Sequence, residues 1–451
     1  MSAGVEEFDI VVLGLGPGGE EVAGRLAEAG LAVAGVEAGL VGGECPYWGC
    51  VPSKMMIRAA DLLAEARRIP GMAGEAAVTP RWEPVARRIR EEATDDWNDK
   101  VAADRFTGKG GTLVRGRGRL TGPKEVTVDG ERVLRARRGV VVATGSQPSA
   151  PPVPGLAGTP FWTNHEAIEA ERVPESLIIL GGGAIGAELA QVFRRFGTEV
   201  TVLEAGERLL SREEPEAGDL LGKVFTAEGI TVRTGTAATR VDHHGAAFTV
   251  MTENGSHRAE RLLVATGRRS DLAAIGVGAA GLDESAHALD VDERMRAADG
   301  LWALGDVTGK GAFTHVSMYQ ARLVIADVLG EPAEPAAYHA LPRVTFTDPE
   351  VGAVGLTERQ ATDQGMTVRT AVTDIGASAR GWIHRAEGFV KLVAADGRLV
   401  GATCAGPSGG EVLGLLTLAV HARIPLAELG TMIYAYPTFH RAVEATLREL
   451  G

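Results

Sequence analysis

Two of the three cysteines in this 451-residue sequence, Cys45 and Cys50, lie five positions apart, and Lys54 follows four residues later. They sit in Gly42-Gly43-Glu44-Cys45-Pro46-Tyr47-Trp48-Gly49-Cys50-Val51-Pro52-Ser53-Lys54, just ahead of an amphipathic stretch that runs to Arg68. A metal centre would favour CxxC spacing with further Cys or His partners close by, and none stand near. Three cysteines in a chain of this length fit a reducing compartment, where disulfides are not used as staples. A redox pair uses every feature of the segment. A helix beginning near Pro52 would lower the pKa of Cys50 and favour its thiolate. Two inert buried cysteines are the plain alternative.

A redox pair needs a source of electrons, and an internal repeat points to one. Phe8 to Leu13 is a short apolar strand ending in Gly14-Leu15-Gly16-Pro17-Gly18-Gly19. A helical stretch to Ala29 follows, then a second strand ending at Glu37. The pattern returns with Leu177 to Leu180, Gly181-Gly182-Gly183-Ala184-Ile185-Gly186, a helix to Phe196, and Val200 to Leu203 ending at Glu204. From first glycine to acid the offset is 23 residues in both copies. The first glycine permits a tight turn, the second lets a pyrophosphate approach the backbone, and the third lets helix pack on strand. The acid accepts hydrogen bonds from a ribose. One such motif is weak evidence; two at identical spacing imply two dinucleotide sites and electron traffic between them. The cysteines then read as a redox pair beside a bound flavin.

A second matched pair supports this organisation. Val140 to Gly145 and Leu262 to Gly267 are apolar strands that both end in Ala-Thr-Gly, and Leu301 to Asp306 is a strand that ends in a carboxylate. Open α/β sheets bind ligands at that edge.

These sites need a scaffold, which composition and punctuation outline. With 45% apolar and 23% charged residues and 60 glycines, the chain is neither disordered nor collagen-like. A net charge of −13 gives no electrostatic footprint for nucleic acid or an anionic membrane. The N-terminus has no basic n-region or cleavage site, and the apolar run Val412 to Val420 is about half of a bilayer span. A cytoplasmic protein is expected. Residues 149–160 are a Pro/Gly-rich linker, and Glu331-Pro-Ala-Glu-Pro-Ala marks another boundary. The expected division is 1–148 as a first dinucleotide-binding domain, 149–268 as a second, 269–337 as a segment completing the first, and 338–451 as an α+β domain. Residues 81–105, rich in Arg, Glu and Asp, read as a solvated helix.

The whole chain resembles the class I pyridine nucleotide–disulfide oxidoreductases, which include dihydrolipoamide dehydrogenase, glutathione reductase and mercuric reductase. The resemblance rests on the fingerprints at 14–19 and 181–186, the Gly-Gly-x-Cys-x4-Cys-x-Pro-Ser-Lys segment, Ala-Thr-Gly at 143–145, Gly-Asp at 305–306 and Thr347 to Gly355. It implies an α/β fold of two Rossmann-like domains and a C-terminal α+β dimerisation domain. FAD would be held through Gly14, Gly16, Gly19, Glu37, Gly43, Glu44, the backbone near Gly118, Ala143, Thr144, Gly145, Asp306 and Thr314. NADH or NADPH would be held through Gly181, Gly183, Ile185, Gly186, Glu204 and Gly267. Cys50 would be the flavin-facing thiol, Cys45 the exchange thiol, and Lys54 would pair with Glu188 beside the flavin. Glu204 favours NADH, because a carboxylate repels a 2′-phosphate, although Arg208 and Arg212 lie just beyond.

The family's disulfide reductases carry His-Pro-Thr-x-x-Glu near the C-terminus, reaching into the partner subunit. Here Tyr436 stands at the histidine position and Arg441 at the glutamate position. Phenol, with a reference pKa near about 10, is a poor base at neutral pH. Either the substrate needs no dedicated imidazole, as with quinones, dyes or a metal ion, or Tyr436 donates a proton directly, or the role moves to His440 and Glu444, spaced i,i+4. Tyr47 and Trp48, between the cysteines, suggest a flat apolar wall beside the exchange thiol or packing within the domain. The C-terminal cysteine pair of mercuric reductase has no counterpart, and Cys404 looks like core. The expected protein is a homodimeric FAD enzyme reducing a small-molecule disulfide with NAD(P)H. A quinone or dye reductase, a transhydrogenase-like enzyme and a non-catalytic redox-sensing flavoprotein are the alternatives.

Overall fold

The computed structural model describes residues 4–451; Met1, Ser2 and Ala3, where the leader reading begins, lie outside the described residues. The chain forms two compact units. The first comprises residues up to Met55, Ala86–Ser149 and Gly267–Ala337, and the second Met56–Val85, Ala150–Thr266 and Tyr338–Gly451. Among the described residues no helix is long and apolar enough to cross a membrane.

The first unit is built on a mostly parallel sheet. In spatial order its strands are Arg296–Ala298, Leu301–Ala303, Arg132–Val142, Glu6–Leu13, Val33–Glu37 and Thr112–Arg115. Val11 and Leu13 pack on one face of this sheet, Ile10 and Val12 on the other, which is why Glu6–Leu13 ends in an unbroken apolar run. Register does the functional work. Leu13 stands opposite both Val36 and Val142, and Ala303 opposite Val142. The Gly14 turn, the Ala143-Thr144-Gly145 turn and Gly305-Asp306 therefore all leave the sheet at one carboxyl edge.

The second unit repeats the plan and adds to it. Thr231–Arg233, Glu199–Leu203, Ser176–Leu180 and Arg261–Val264 form a parallel sheet, with Leu180 opposite Leu203 and Val264. A three-stranded antiparallel meander (Ala238–His244, Ala247–Thr252, Gly255–Ala259) lies beside it in sequence. The C-terminal part is a five-stranded antiparallel sheet, Pro342–Thr345, Glu350–Gly355, Arg398–Gly406, Phe389–Ala395 and Arg369–Asp374. Helices Gly409–His421 and His440–Glu449 bury Leu413, Leu416, Val443 and Leu447 in the same core as Val390 and Leu392.

Residues 81–105 are not a solvated helix. The helix Glu83–Arg88 runs into a π-helical turn, Ile89–Ala93, and the backbone breaks at Asp95, Asp96 and Trp97, all with positive φ, before Lys100–Gly108. Trp82, Val85 and Ile89 are buried at i, i+3 and i+7, a helical stripe hidden among charges. Trp82 donates its indole N–H to Ala170 O (2.6 Å) and stacks on Phe193, so 56–85 belongs to the second unit rather than the first.

The second unit also contains a buried ion cluster. Arg195, 1% exposed, reaches Asp61 (2.6 Å), Glu228 (2.7 Å) and Asp348 (2.8 Å). Burial pushes the Asp61 carboxyl up to about 6 despite the guanidinium beside it. Removing a buried partner strands the charges left behind, at a cost of about 3–5 kcal/mol. Arg195→Met is expected to lose that much stability in urea titrations at neutral pH. Asp61 is raised above its unfolded value near about 4, so its burial costs stability above pH 6 and the cost is relieved below. Without the guanidinium Asp61 is pushed up further, so the deficit of the variant should shrink as pH falls toward 6 and level off below it.

Candidate active site

The two glycine turns are the same object built twice. Gly14 has φ +89° and Gly181 φ +104°, where a side chain is strained. A Cβ on either would lie 2.5 Å from a carbonyl oxygen, that of Ala143 or Ala265. A Cβ on Gly19 would lie 2.1 Å from Gly14 O, and one on Gly186 2.0 Å from Gly181 O. These four positions are closed to any larger residue. Gly16 and Gly183, at the starts of helices Pro17–Glu28 and Ala184–Arg195, are the opposite: a Cβ there would meet nothing within 4 Å, and no side chain caps either helix. Open space at an uncapped helix N-terminus fits a pyrophosphate.

Each turn is locked by its acid. Glu37 accepts the N–H of Leu15 and of Gly39, both at 2.7 Å. Glu204 accepts the N–H of Gly182 (2.5 Å) and of Gly206 (2.6 Å). The donors sit at matching offsets, one residue after the first glycine and two after the acid. Each carboxylate oxygen keeps a lone pair for a ribose hydroxyl. The donor set thus fits a dinucleotide in both places. Ile185 is exposed on the first turn of the second helix.

The remaining residues expected at the first site share its carboxyl edge. Thr144 and Gly145 leave the strand Arg132–Val142 there, and Asp306 accepts a hydrogen bond from Ser146 Oγ (2.5 Å). Gly118 abuts Leu13 and Val36, at the carboxyl ends of their strands: a Cβ would lie 2.6 Å from Leu13 Cδ2. Gly43, φ +66°, rests on the first turn, its position 2.8 Å from Gly16 Cα if a Cβ were added. That contact seats the cysteine segment on the first cradle.

Cys50 is the first residue of the helix Cys50–Arg68, two positions earlier than expected, and Cys45 lies in the short helix Glu44–Tyr47. The thiols differ sharply. Cys50 is brought down to about 6, chiefly by the hydrogen bond it accepts from Cys45, then by the Thr314 hydroxyl and the Lys54 ammonium, against the effect of burial. Thr314, the first residue of Thr314–Leu329, places Oγ1 3.4 Å from Cys50 Sγ. Cys45 moves far up, because ionising it would forfeit its hydrogen bond to Cys50 and burial adds to that. Of the two, Cys50 is the thiol whose surroundings favour the thiolate.

The remaining expected residues have further partners of their own. Tyr47 is core rather than a wall beside the thiol: it is 6% exposed and donates to Val41 O at 3.2 Å. Trp48, half-buried, tilts against it at 5.9 Å between ring centroids. Lys54 lies in the first unit and donates to Ser53 Oγ at 3.3 Å; Glu188, buried in the second, accepts the Phe346 N–H at 2.9 Å. The expected His440–Glu444 dyad does not form. Glu444 is held by the guanidinium groups of Arg441 (2.5 Å) and Arg448, whose full charges outcompete a neutral imidazole for its oxygens. Tyr436 is 73% exposed, with Arg441 Cζ 5.8 Å from its ring centroid. Arg268 was missed: it donates to Ser146 Oγ (3.0 Å) and Ser146 O (2.6 Å), and meets Glu44 at 3.2 Å. Ser146 and Arg268 each follow the last glycine of an Ala-Thr-Gly turn, a signal the sequence does offer.

Comparison with known proteins agrees with this geometry. Residues 8–321 match the family profile of the pyridine nucleotide–disulphide oxidoreductases, and residues 341–447 that of their dimerisation domain. The chain is 34% identical to a mercuric reductase of Acidithiobacillus ferrooxidans, over 96% of its own length and 81% of the relative's. It is 32% identical to a dihydrolipoyl dehydrogenase of Chlorobaculum tepidum, over 97% and 96%. In fold it matches the Cu(II) complex of the HOCl-induced flavoprotein disulfide reductase RclA from Escherichia coli, with TM-score 0.86, 24% identity and coverage of 99% of this chain and 100% of that one.

The thiol asymmetry is measurable in the reduced protein. Thiolate ultraviolet absorbance lost on Cys50→Ser substitution should titrate with a midpoint near pH 6, ionised above and protonated below. Thr314→Val removes one donor to the anion and should move that midpoint upward by about one unit, the equivalent of a hydrogen bond worth about 1.4 kcal/mol.

Proposed function

The chain belongs to the pyridine nucleotide–disulphide oxidoreductase family of FAD-dependent NAD(P)H enzymes, and from that premise we propose that Cys45 and Cys50 form its redox-active disulfide and that its acceptor is a low-molecular-weight disulfide. FAD held at the Gly14 turn would pass on the two electrons that NAD(P)H at the Gly181 turn brings, the chemistry needed to open the Cys45–Cys50 bond. The observation that carries the reading is the unequal placement of the two thiols: Cys50 opens a 19-residue helix with Thr314 Oγ1 3.4 Å from its sulfur, while Cys45 lies in a four-residue helical turn.

That inequality assigns the roles. Cys50, at a helix N-terminus with Thr314 and Lys54 around it, is the sulfur built to stay anionic. Cys45 is the exchange thiol. Its proton already lies on the hydrogen bond to Cys50, so a shift along that bond frees the Cys45 thiolate as the acceptor arrives. Cys45 Sγ then bonds to one sulfur of the acceptor, whose S–S bond breaks and releases one thiolate. Cys50 next attacks Cys45 Sγ and passes the transferred proton to the second leaving sulfur, closing the Cys45–Cys50 bond. Two protons are needed by the leaving thiolates, and Tyr436 is the proposed donor to the first. Its exposure on the C-terminal domain suits delivery from a second copy of the chain, so a homodimer would complete the site.

Glu204 supports NADH as the reductant. Both of its oxygens are fixed by backbone N–H groups, holding an anion where a 2′-phosphate would come. The stem of Arg208 packs against Gly218, with Glu207 3.8 Å from its guanidinium. Three thiols and a net charge of −13 suit a cytoplasmic enzyme acting on a small molecule.

Two measurements check the reading. Cys45→Ser is expected to lose disulfide turnover and keep NADH-driven reduction of quinones; retention of disulfide turnover would show that the cysteines are not the route. Wild type should prefer NADH over NADPH in kcat/KM, and Glu204→Ala should narrow that preference by about tenfold or more, the worth of a charge-assisted hydrogen bond.

A further inference from the structure

The turn that carries Cys45 is held from both sides. Gly43 seats one side on the backbone of Gly16. On the other, Glu44, the residue immediately before Cys45, meets Arg268 at 3.2 Å. Arg268 is itself fixed, because its guanidinium donates to Ser146 Oγ and to Ser146 O at 3.0 and 2.6 Å, while Ser146 Oγ donates to Asp306 at 2.5 Å. Its side chain is 18% exposed. The backbone around it is pinned as well: Arg268 and Arg269 pair with Pro148 and Gln147, and Ser270 Oγ donates to Gly145 O at 2.8 Å. An unbroken polar chain, Glu44–Arg268–Ser146–Asp306, thus links the cysteine turn to the carboxyl edge of the first sheet.

We infer that Arg268 is a positioning residue for the redox pair, acting through Glu44 to hold Cys45 Sγ against Cys50. The physical argument is one of effective concentration. Closing the disulfide requires the two sulfurs to be confined together, and Cys50 is already confined as the first residue of a 19-residue helix. Cys45 sits in a helical turn of only four residues, too short to hold its own geometry. The turn must therefore be held from outside, and Arg268 is the fixed group that reaches it. Loosening it lowers the local concentration of one sulfur against the other, which disfavours the disulfide relative to the dithiol. A tenfold loss corresponds to a midpoint potential about 30 mV less negative. The inference rests on Cys45 and Cys50 being the exchanging pair.

The test equilibrates purified holoenzyme with dithiothreitol and its cyclic disulfide and counts free Cys45 and Cys50 by alkylation and mass spectrometry. As the Cys45–Cys50 bond forms, the pair gives up two electrons and the proton on Cys45, and the buffer supplies a second proton. The cyclic disulfide of dithiothreitol takes them up as its own S–S bond breaks. Arg268→Met and Glu44→Ala should each make the disulfide about tenfold harder to form, and the double variant should do no more than either alone, since both remove one shared contact. Unshifted equilibria in both single variants, or shifts that add in the double, would overturn the inference. Should Arg268→Met fail to fold, Glu44→Ala alone still decides it, by a shift or by none. If the wild-type cysteines never form a disulfide across the buffer range, the exchange reading itself has failed, a separate result from an unmoved variant.

Discussion

Everything in this chain depends on parallel strands ending together. In the first unit, register pairs Leu13 with Val36 and with Val142, and Val142 with Ala303. Three backbone turns therefore emerge side by side, and a ligand laid along them meets N–H groups, small residues and a carboxylate without any side chain having to reach far. One residue of slip between Glu6–Leu13 and Arg132–Val142 would separate the Gly14 turn from Ala143, whose carbonyl a Gly14 Cβ would strike. The glycine and its neighbour fix one another, and the cysteine turn is seated on the result through Gly43 and Gly16.

The charges in the structure divide by what surrounds them. Glu37 and Glu204 are each satisfied by two backbone N–H groups, so they stiffen a turn while remaining able to accept from a ligand. Arg195 with Asp61, Glu228 and Asp348 is a different device, a buried knot with no turn to shape and a large penalty for losing any strand of it. Cys50 belongs to neither class. Its anion is stabilised by neutral donors and one nearby ammonium, which keeps it reactive where a salt bridge would have quenched it.

Much of this was legible in sequence because it is local. A glycine that must have positive φ, an acid at a set distance beyond it and two cysteines before a helix are each written within about thirty residues. What escaped was long-range or competitive. The Arg268–Glu44 contact joins positions more than two hundred residues apart, and only the parallel between the two Ala-Thr-Gly turns hinted at it. The spacing of His440 and Glu444 was suitable, but two arginines on the same helix claimed the carboxylate first. The charged stretch around residue 90 hid a buried stripe of Trp82, Val85 and Ile89, since counting charges says nothing about which side of a helix they occupy.

The twin construction of the nucleotide clasps has a consequence for descent. Glu37 and Glu204 do the same job in separate units with no residue in common. A lineage can therefore retune which coenzyme feeds the protein by altering one clasp while its twin, and the prosthetic group that twin would carry, stays untouched. Duplication followed by independent drift is open to this architecture in a way that a single shared cleft would forbid.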